Sequence, residues 1–223
     1  MSELKGQTIP KRDQSKSREM RNDNHLDIDH QTNNGRPKSP RDRAKPVVVS
    51  HNDQQGPPLD FSFKNIETIE SLKTEKPRKG NKGYKKTKEG KYSCVSLRLN
   101  NNYIENISGI HSICLEILEA PEKLTWLDLS FNRLTSIPAE ITTLSSLKII
   151  YLHGNHLVDL LAVLRPLKML DGLYSLTLHG NPVEERENYR YKIIAHLPHL
   201  KTLDFHKITL AERKKVESMK KKH

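Results

Sequence analysis

The 223-residue chain has little of what most often carries chemistry or holds a large core together. It has two cysteines, Cys94 and Cys114, too few for a disulfide framework. No apolar run approaches the roughly 18–20 residues a membrane span needs. The opening MSELKGQTIP lacks an apolar leader core, and the ending KKKH is neither a lipidation box nor a retention signal. These absences lead us to expect a soluble, cytoplasmic chain. The sequence has no phosphate-cradling glycine loop, no G-x-S-x-G, no H-E-x-x-H and no paired cysteines, so neither an enzyme nor a cofactor is expected. Hydrophobic residues make up 34%, where a uniform globular domain runs nearer ~45–50%, so part of the chain should lie outside any core.

Charge is unevenly placed. Residues 1–56 hold 11 basic and 8 acidic residues, residues 57–92 hold 10 and 5, and residues 211–223 hold 6 and 2. Residues 93–210 hold 11 and 12, so the net +11 belongs to the appendages of a near-neutral centre. The first 56 residues are rich in Gln, Asn, Asp, Lys, Arg and Ser, with one short apolar patch, Val47 to Val49. Such a stretch buries too little apolar surface to offset its ordering entropy and is expected to be a disordered, solvated tail.

From residue 93 the chain repeats. CVSLRLNNNYI (94–104), LTWLDLSFNRL (124–134), LKIIYLHGNHL (147–157) and LYSLTLHGNPV (173–183) fit L-x-x-L-x-L-x-x-N-x-L, and LKTLDFHKI (200–208) begins a fifth unit without the Asn. The starts are 30, 23, 26 and 27 residues apart, near the roughly 20–29 of leucine-rich repeats. The fold class expected is therefore an α/β leucine-rich repeat solenoid, a short horseshoe arc over 93–207 with a C-terminal cap. Each L-x-L is a short strand that points its leucines inward. Asn102, Asn132, Asn155 and Asn181 stand where the chain leaves the strand, and a side-chain amide there both donates to and accepts from turn backbone, so these residues are assigned a structural role. In the 30-residue unit, Ile110, Ile113, Cys114, Ile117 and Leu118 share one helical face.

LDFSFKNIETI (59–69) aligns without a gap on LDLSFNRLTSI (127–137), with Lys64 in the place of Asn132. This makes 57–72 a degenerate first unit, expected to cap the open edge of the stack. Residues 73–92 follow with nine basic residues, two glutamates, three glycines and Pro77. A flexible basic loop is expected, with Lys79, Lys82, Lys85, Lys86 and Lys88 meeting an acidic surface such as tubulin tails. Nucleic acid is the weaker reading, since Tyr84 and Tyr92 are too few to make a base-stacking platform. At the other end, Thr209 and Glu212 form a T-x-x-E box that should open a short basic helix within 208–223.

The outward strand residues line up in columns: Arg98, Asp128, Tyr151, Thr177, Asp204 in the centre, and Ser96, Trp126, Ile149, Ser175, Thr202 beside it. On the other flank stand Asn100, Ser130, His153, His179 and His206. A protein partner is expected on this concave face, at Arg98, Trp126, Asp128, Ile149, Tyr151, His153, Tyr174, His179 and Asp204, with Trp126 and Tyr151 as anchors. No metal site is assigned to the three histidines, because adjacent residues of a column point the same way rather than converge.

NPVEERENYRYKIIAHLPHLKTLDF (181–205) resembles the C-terminal cap of the intracellular leucine-rich repeat family that includes the spliceosomal U2 A-prime protein, through Asn181-Pro182, Tyr189-Arg190, Leu197-Pro198 and Leu203-Asp204. The resemblance implies a helix folded over the core, followed by a final strand. Within that family, PPLDFSF, DLSFNRLTSI, YLHGN, SLTLHGNP and YRYKIIAHLP resemble a small adaptor over roughly 57–219. What the resemblance implies is a non-enzymatic scaffold, with a home in the cilium or axoneme as a further expectation. The alternative it implies is a ribonucleoprotein component holding protein and RNA.

Overall fold

A computed structural model describes residues 57–80 and 83–221. The polar tail 1–56 and Lys82 lie outside the described residues. Seven short strands form one sheet in chain order: β1 (Leu59–Asp60), β2 (Ser96–Arg98), β3 (Trp126–Asp128), β4 (Ile149–Tyr151), β5 (Ser175–Thr177), β6 (Thr202–Leu203) and β7 (His206–Lys207). Pairing is parallel through β6, and β7 turns back antiparallel. The register aligns Leu59, Leu97, Leu127, Ile150, Leu176 and Leu203 as one inward column, each no more than 1% exposed. This is a leucine-rich repeat solenoid, in which no unit buries its apolar edge alone and stacking supplies roughly 1.5–3 kcal/mol per buried aliphatic side chain.

Spacing decides what fills each connection. The 30-residue unit holds helix α1 (Ile110–Ile117), and the 23-residue unit closes with a 3₁₀ turn, Ala139–Thr143. The 26-residue unit holds α2 (Leu160–Leu167), capped by Asp159, whose Oδ1 accepts from the N–H groups of Leu161 and Ala162 at 3.0 Å. Helix α1 has no cap of its own. Glu140 of the next unit supplies one, accepting from the Gly109 N–H at 2.6 Å and from the His111 N–H at 3.2 Å. Cys94 and Cys114 are small core residues, and burial pushes their thiols up to about 11 and about 12.

The asparagine ladder ties each unit to the one before it. Asn132 Nδ2 donates to the carbonyls of Leu129 (3.1 Å) in its own unit and Leu99 (2.9 Å) in the previous one, while its Oδ1 accepts from the Ile104 N–H. Asn102, Asn155 and Asn181 repeat the arrangement toward Phe61, Leu129 and Leu152. The residue before each ladder position turns through positive φ: Phe63, Asn101, Phe131, Gly154 and Gly180.

Where the repeats stop, Asp204 takes over. In earlier units the N–H that follows the strand donates to a carbonyl of the next unit, as Leu129 does to Tyr151 and Leu152 to Thr177. For Leu178 the acceptor is instead the Asp204 carboxylate, at 2.7 Å, and the His179 N–H shares it at 3.0 Å. Helix α3 (Tyr189–His196) then folds over the end, followed by α4 (Leu210–Lys220), which opens with the reciprocal Thr209–Glu212 capping box. Arg190 locks the two helices: its guanidinium meets Glu212 at 2.6 Å and donates to the Leu203 carbonyl. That contact is the main reason the Glu212 carboxyl is held down to about 2.

The basic loop differs from its expectation. Its described part is pinned, because the Arg78 N–H donates to the Asp60 carbonyl at 2.7 Å and Tyr92, opposite Leu118, donates its N–H to the Ile117 carbonyl and accepts from the Glu119 N–H. Tyr84 and Tyr92 meet edge to face at 5.8 Å, half-buried against the core. Apolar ring surface on two tyrosines outweighs the loop's glycines. Lys86 sits over the Tyr92 ring at 4.3 Å and is exposed, as are Lys79, Lys85 and Lys88.

Candidate protein-binding face

Two outward columns lie on the strands and the third just past their ends, and the three are not equally presented. Toward the N-terminal end polar side chains pair among themselves. Arg98 pairs with Asp60 at 3.4 Å. Asp60 and Asp128 each bind the hydroxyl and the N–H two residues on, Ser62 and Ser130, at 2.6–3.1 Å. Contrary to the expectation from the columns, Asp128 is not open to a partner: it is 6% exposed, with its carboxylate turned onto its own turn. Desolvation holds its carboxyl above the usual range, against those hydrogen bonds. Ser96, Ser175 and Thr177 are also buried, and Ile149 is 4% exposed, so none of them is presented to a partner.

Asp204 departs from that expectation likewise. Besides the two N–H groups above, its Oδ2 accepts from the Tyr189 hydroxyl at 3.1 Å, making it the joint between sheet end and cap. His206 leaves its column at the β6–β7 turn, where its Nδ1 lies 2.7 Å from the Asp204 carbonyl. Among the described residues, no group of three or more His, Cys, Asp and Glu is arranged to hold a metal ion.

Toward the C-terminal end the face is aromatic. Trp126 and Tyr151 meet edge to face at 5.8 Å, and His153 and His179 stack within 7° of parallel at 4.7 Å. Tyr174 stands half-buried just before β5. Two rings that the columns do not predict complete the patch. Phe205 contacts Tyr151, His153 and His179 at 5.3–5.7 Å, and Phe131 meets His153 at 5.0 Å. His153 Nδ1 lies 2.8 Å from the Thr177 hydroxyl, and His179 Nδ1 lies 3.2 Å from Asp204. Burial, and secondarily the neighbouring His179, hold the His153 imidazole down to about 4, so it is neutral at pH 7.

Backbone strain marks the two added rings. Phe131 has φ 52° and Phe205 φ 61°, a region that disfavours a bulky L-residue by about 1–2 kcal/mol. Phe131 is nevertheless 54% exposed, so core burial does not offset the strain. The signal for Phe131 was in the alignment: S-F-N stands where two other units have H-G-N, placing Phe where glycine is usual. Phe205 stands in the fifth unit at the place of Leu99, Leu129, Leu152 and Leu178, where the pattern points inward, but its positive φ breaks the strand and its ring lies against Tyr151, His153 and His179 instead.

Comparison with known proteins agrees with this architecture. A family model described as Leucine-rich repeat matches residues 114–223. Leucine-rich repeat-containing protein 51 of Macaca mulatta is 44% identical over 167 residues, covering 75% of this chain and 86% of that protein. The Homo sapiens protein of the same name is 43% identical over the same span. Among solved structures, the Drosophila melanogaster SNF/U2A' complex matches 56% of this chain and 67% of its own at 27% identity, with a TM-score of 0.47. The Mex67 leucine-rich repeat domain of Chaetomium thermophilum matches 49% and 78% at 25% identity, with a TM-score of 0.42. With the repeat register, the ladder and the cap in place, the chain belongs to the family of leucine-rich repeat-containing protein 51.

Proposed function

We propose that the protein is a non-enzymatic scaffold that holds a segment of a protein partner on the aromatic half of its concave face. The observation that carries this is the exposed Phe131, held on strained backbone against His153, whose ring also meets Tyr151 and Phe205, with Trp126 against Tyr151. Strain that no buried contact offsets is the pattern of binding sites, and Trp and Tyr are the commonest interface anchors. The basic segment is proposed as a second, electrostatic contact to an acidic protein surface such as tubulin tails, through Lys79, Lys85 and Lys88. The ribonucleoprotein reading is weaker, since Tyr84 and Tyr92, the residues that would stack on bases, are engaged with each other and with the core edge.

The test is quantitative proximity labelling in ciliated cells with wild type beside Trp126→Ala and Phe131→Gly. A common set of proteins lost in both variants, with folding unchanged by circular dichroism, is the expected result, and an identical set in all three overturns the proposal. Imaging the same cells tests cytoplasmic and ciliary residence. Microtubule co-sedimentation and RNA retention across a salt series separate the two readings of the basic segment.

A further inference from the structure

The helical side of the C-terminal cap carries a second apolar surface, away from the sheet face. Helix α3 runs between two hollows. One, of about 530 Å³, is lined by Val158, Leu160 and Leu161 at the start of α2, with Lys192 and His196 of α3 and Arg186 beyond. The other, of about 300 Å³, lies between α3 and α4 and is floored by Tyr191, Ala195, Val216 and Met219, with Lys220 at its rim. Lys192 lines both. Val158 and Leu161 are 51% and 54% exposed, so their apolar surface is left uncovered by the cap.

Charge says what fits. Arg186, Lys192 and Lys220 stand around the hollows, and the one acidic residue lining either is Asp159, whose carboxylate is committed to capping α2. Glu212 nearby is committed to Arg190 and to its own capping box. Arg186 also donates to the Val158 carbonyl at 3.5 Å and Lys220 to the Ala195 carbonyl at 3.4 Å, neutral partners that leave both charges in place, so the rim is positive around an apolar floor. Packed helices lie roughly 8–10 Å apart, and residues i and i+7 of an α-helix are about 10.5 Å apart, so one short helix can place an anchor in each hollow across α3.

We propose that these hollows dock a short acidic amphipathic helix of a partner protein, its apolar face spanning α3 and its carboxylates meeting Arg186, Lys192 and Lys220. This is the helix-in-groove mode, with the rim charges setting partner choice and encounter rate. It is independent of the aromatic face, so the protein holds two partner segments at once.

Fluorescence anisotropy with the full chain tests this. The probe is a labelled peptide of roughly 16 residues, long enough to be helical, with leucines at i, i+4 and i+7 and glutamates along both flanks. Its control has every glutamate replaced by glutamine. The acidic probe is expected to bind about tenfold tighter at low salt, with the gap closing as ionic strength rises. Lys192→Glu with Lys220→Glu should erase the gap, and Leu161→Glu should weaken both peptides, with the melting temperature unchanged because all three side chains are exposed. Phe131→Gly should leave the probe's affinity as it is, which separates failure of this groove from failure of the concave face. Equal affinity for the two peptides, or indifference to the double reversal, overturns the proposal. So does adsorption to phosphatidylserine vesicles that the reversal abolishes while peptide binding persists, in favour of a membrane.

Discussion

Phe131 and Asn132 are adjacent in the chain and are built to opposite ends. Asn132 is 5% exposed, and its amide serves carbonyls of two units and one turn N–H, an arrangement repeated at Asn102, Asn155 and Asn181. Phe131 is exposed and strained, as Phe63 of the first unit is, whereas the other units have Asn101, Gly154 and Gly180 at this position; of the two phenylalanines, Phe131 is the one that meets the histidine stack. The ladder is where a substitution costs the most stability. One residue away, in the same turn, the fold tolerates almost anything that accepts positive φ, and here it carries an aromatic ring. Stability and recognition are thus separable at neighbouring positions, and substitutions can drive them apart.

The largest effect should come from the ladder. Asn132→Ala takes from the buried Ile104 N–H its acceptor and from the Leu99 and Leu129 carbonyls one of two amide donors, leaving them Asn102 and Asn155, at a cost of about 2–3 kcal/mol. Urea denaturation should show that loss, while partner binding measured well below the unfolding midpoint stays near wild type. If Asn132→Ala abolishes binding in protein that is still folded, the ladder and the face are not independent.

A smaller effect should expose where the two regions do touch. Gly154 has φ +69°, and a Cβ there would lie 2.7 Å from Phe131 Cδ1 and 2.9 Å from Cε1. Gly154→Ala therefore adds left-handed strain of about 1–2 kcal/mol and pushes the Phe131 ring off its seat. Stability and binding should fall together. In a Phe131→Gly background the ring is gone, so the same substitution should cost only the backbone strain and should change binding no further. A double-mutant cycle with no coupling would mean that the ring moves aside freely and that its position does not matter for recognition.

How far the sequence discloses these features follows from which forces repeat. L-x-L and the ladder Asn recur in register because each unit faces the same neighbour, so the inward column and the four asparagines are readable from spacing alone. Outward positions face no such constraint. Asp128 reads as a surface carboxylate, because nothing in L-D-L says that Ser130 will turn it back. Asp204 reads as one more column residue, yet the last strand breaks at Leu203, and the Asp204 carboxylate takes the place of the backbone carbonyl that would accept from the Leu178 N–H. The pinned loop escaped for the reverse reason: lysines and glycines dominate its composition, and two tyrosines decide its place.

The smallest effect distinguishes the two halves of the face itself by acid. The polar half is closed by carboxylate–serine bonds, whereas the aromatic half rests on two stacked imidazoles. His153 is held to about 4 by burial first and by His179 second, and in the unfolded chain it titrates near ~6.5. Between those values the unfolded chain binds the extra proton, so this contribution is fully present above pH 6.5 and is lost as the pH falls toward 4. The ring is only half-buried, so solvent screening keeps the loss to about 1 kcal/mol. Melting temperatures from pH 7.5 to 4 should therefore fall for wild type and fall less for His153→Gln. Partner binding should weaken over the same window, because a charged ring stacked on His179 disturbs Phe131 and Phe205 as well. Identical pH curves for the two proteins would place the acid sensitivity elsewhere and leave the histidine stack as packing alone.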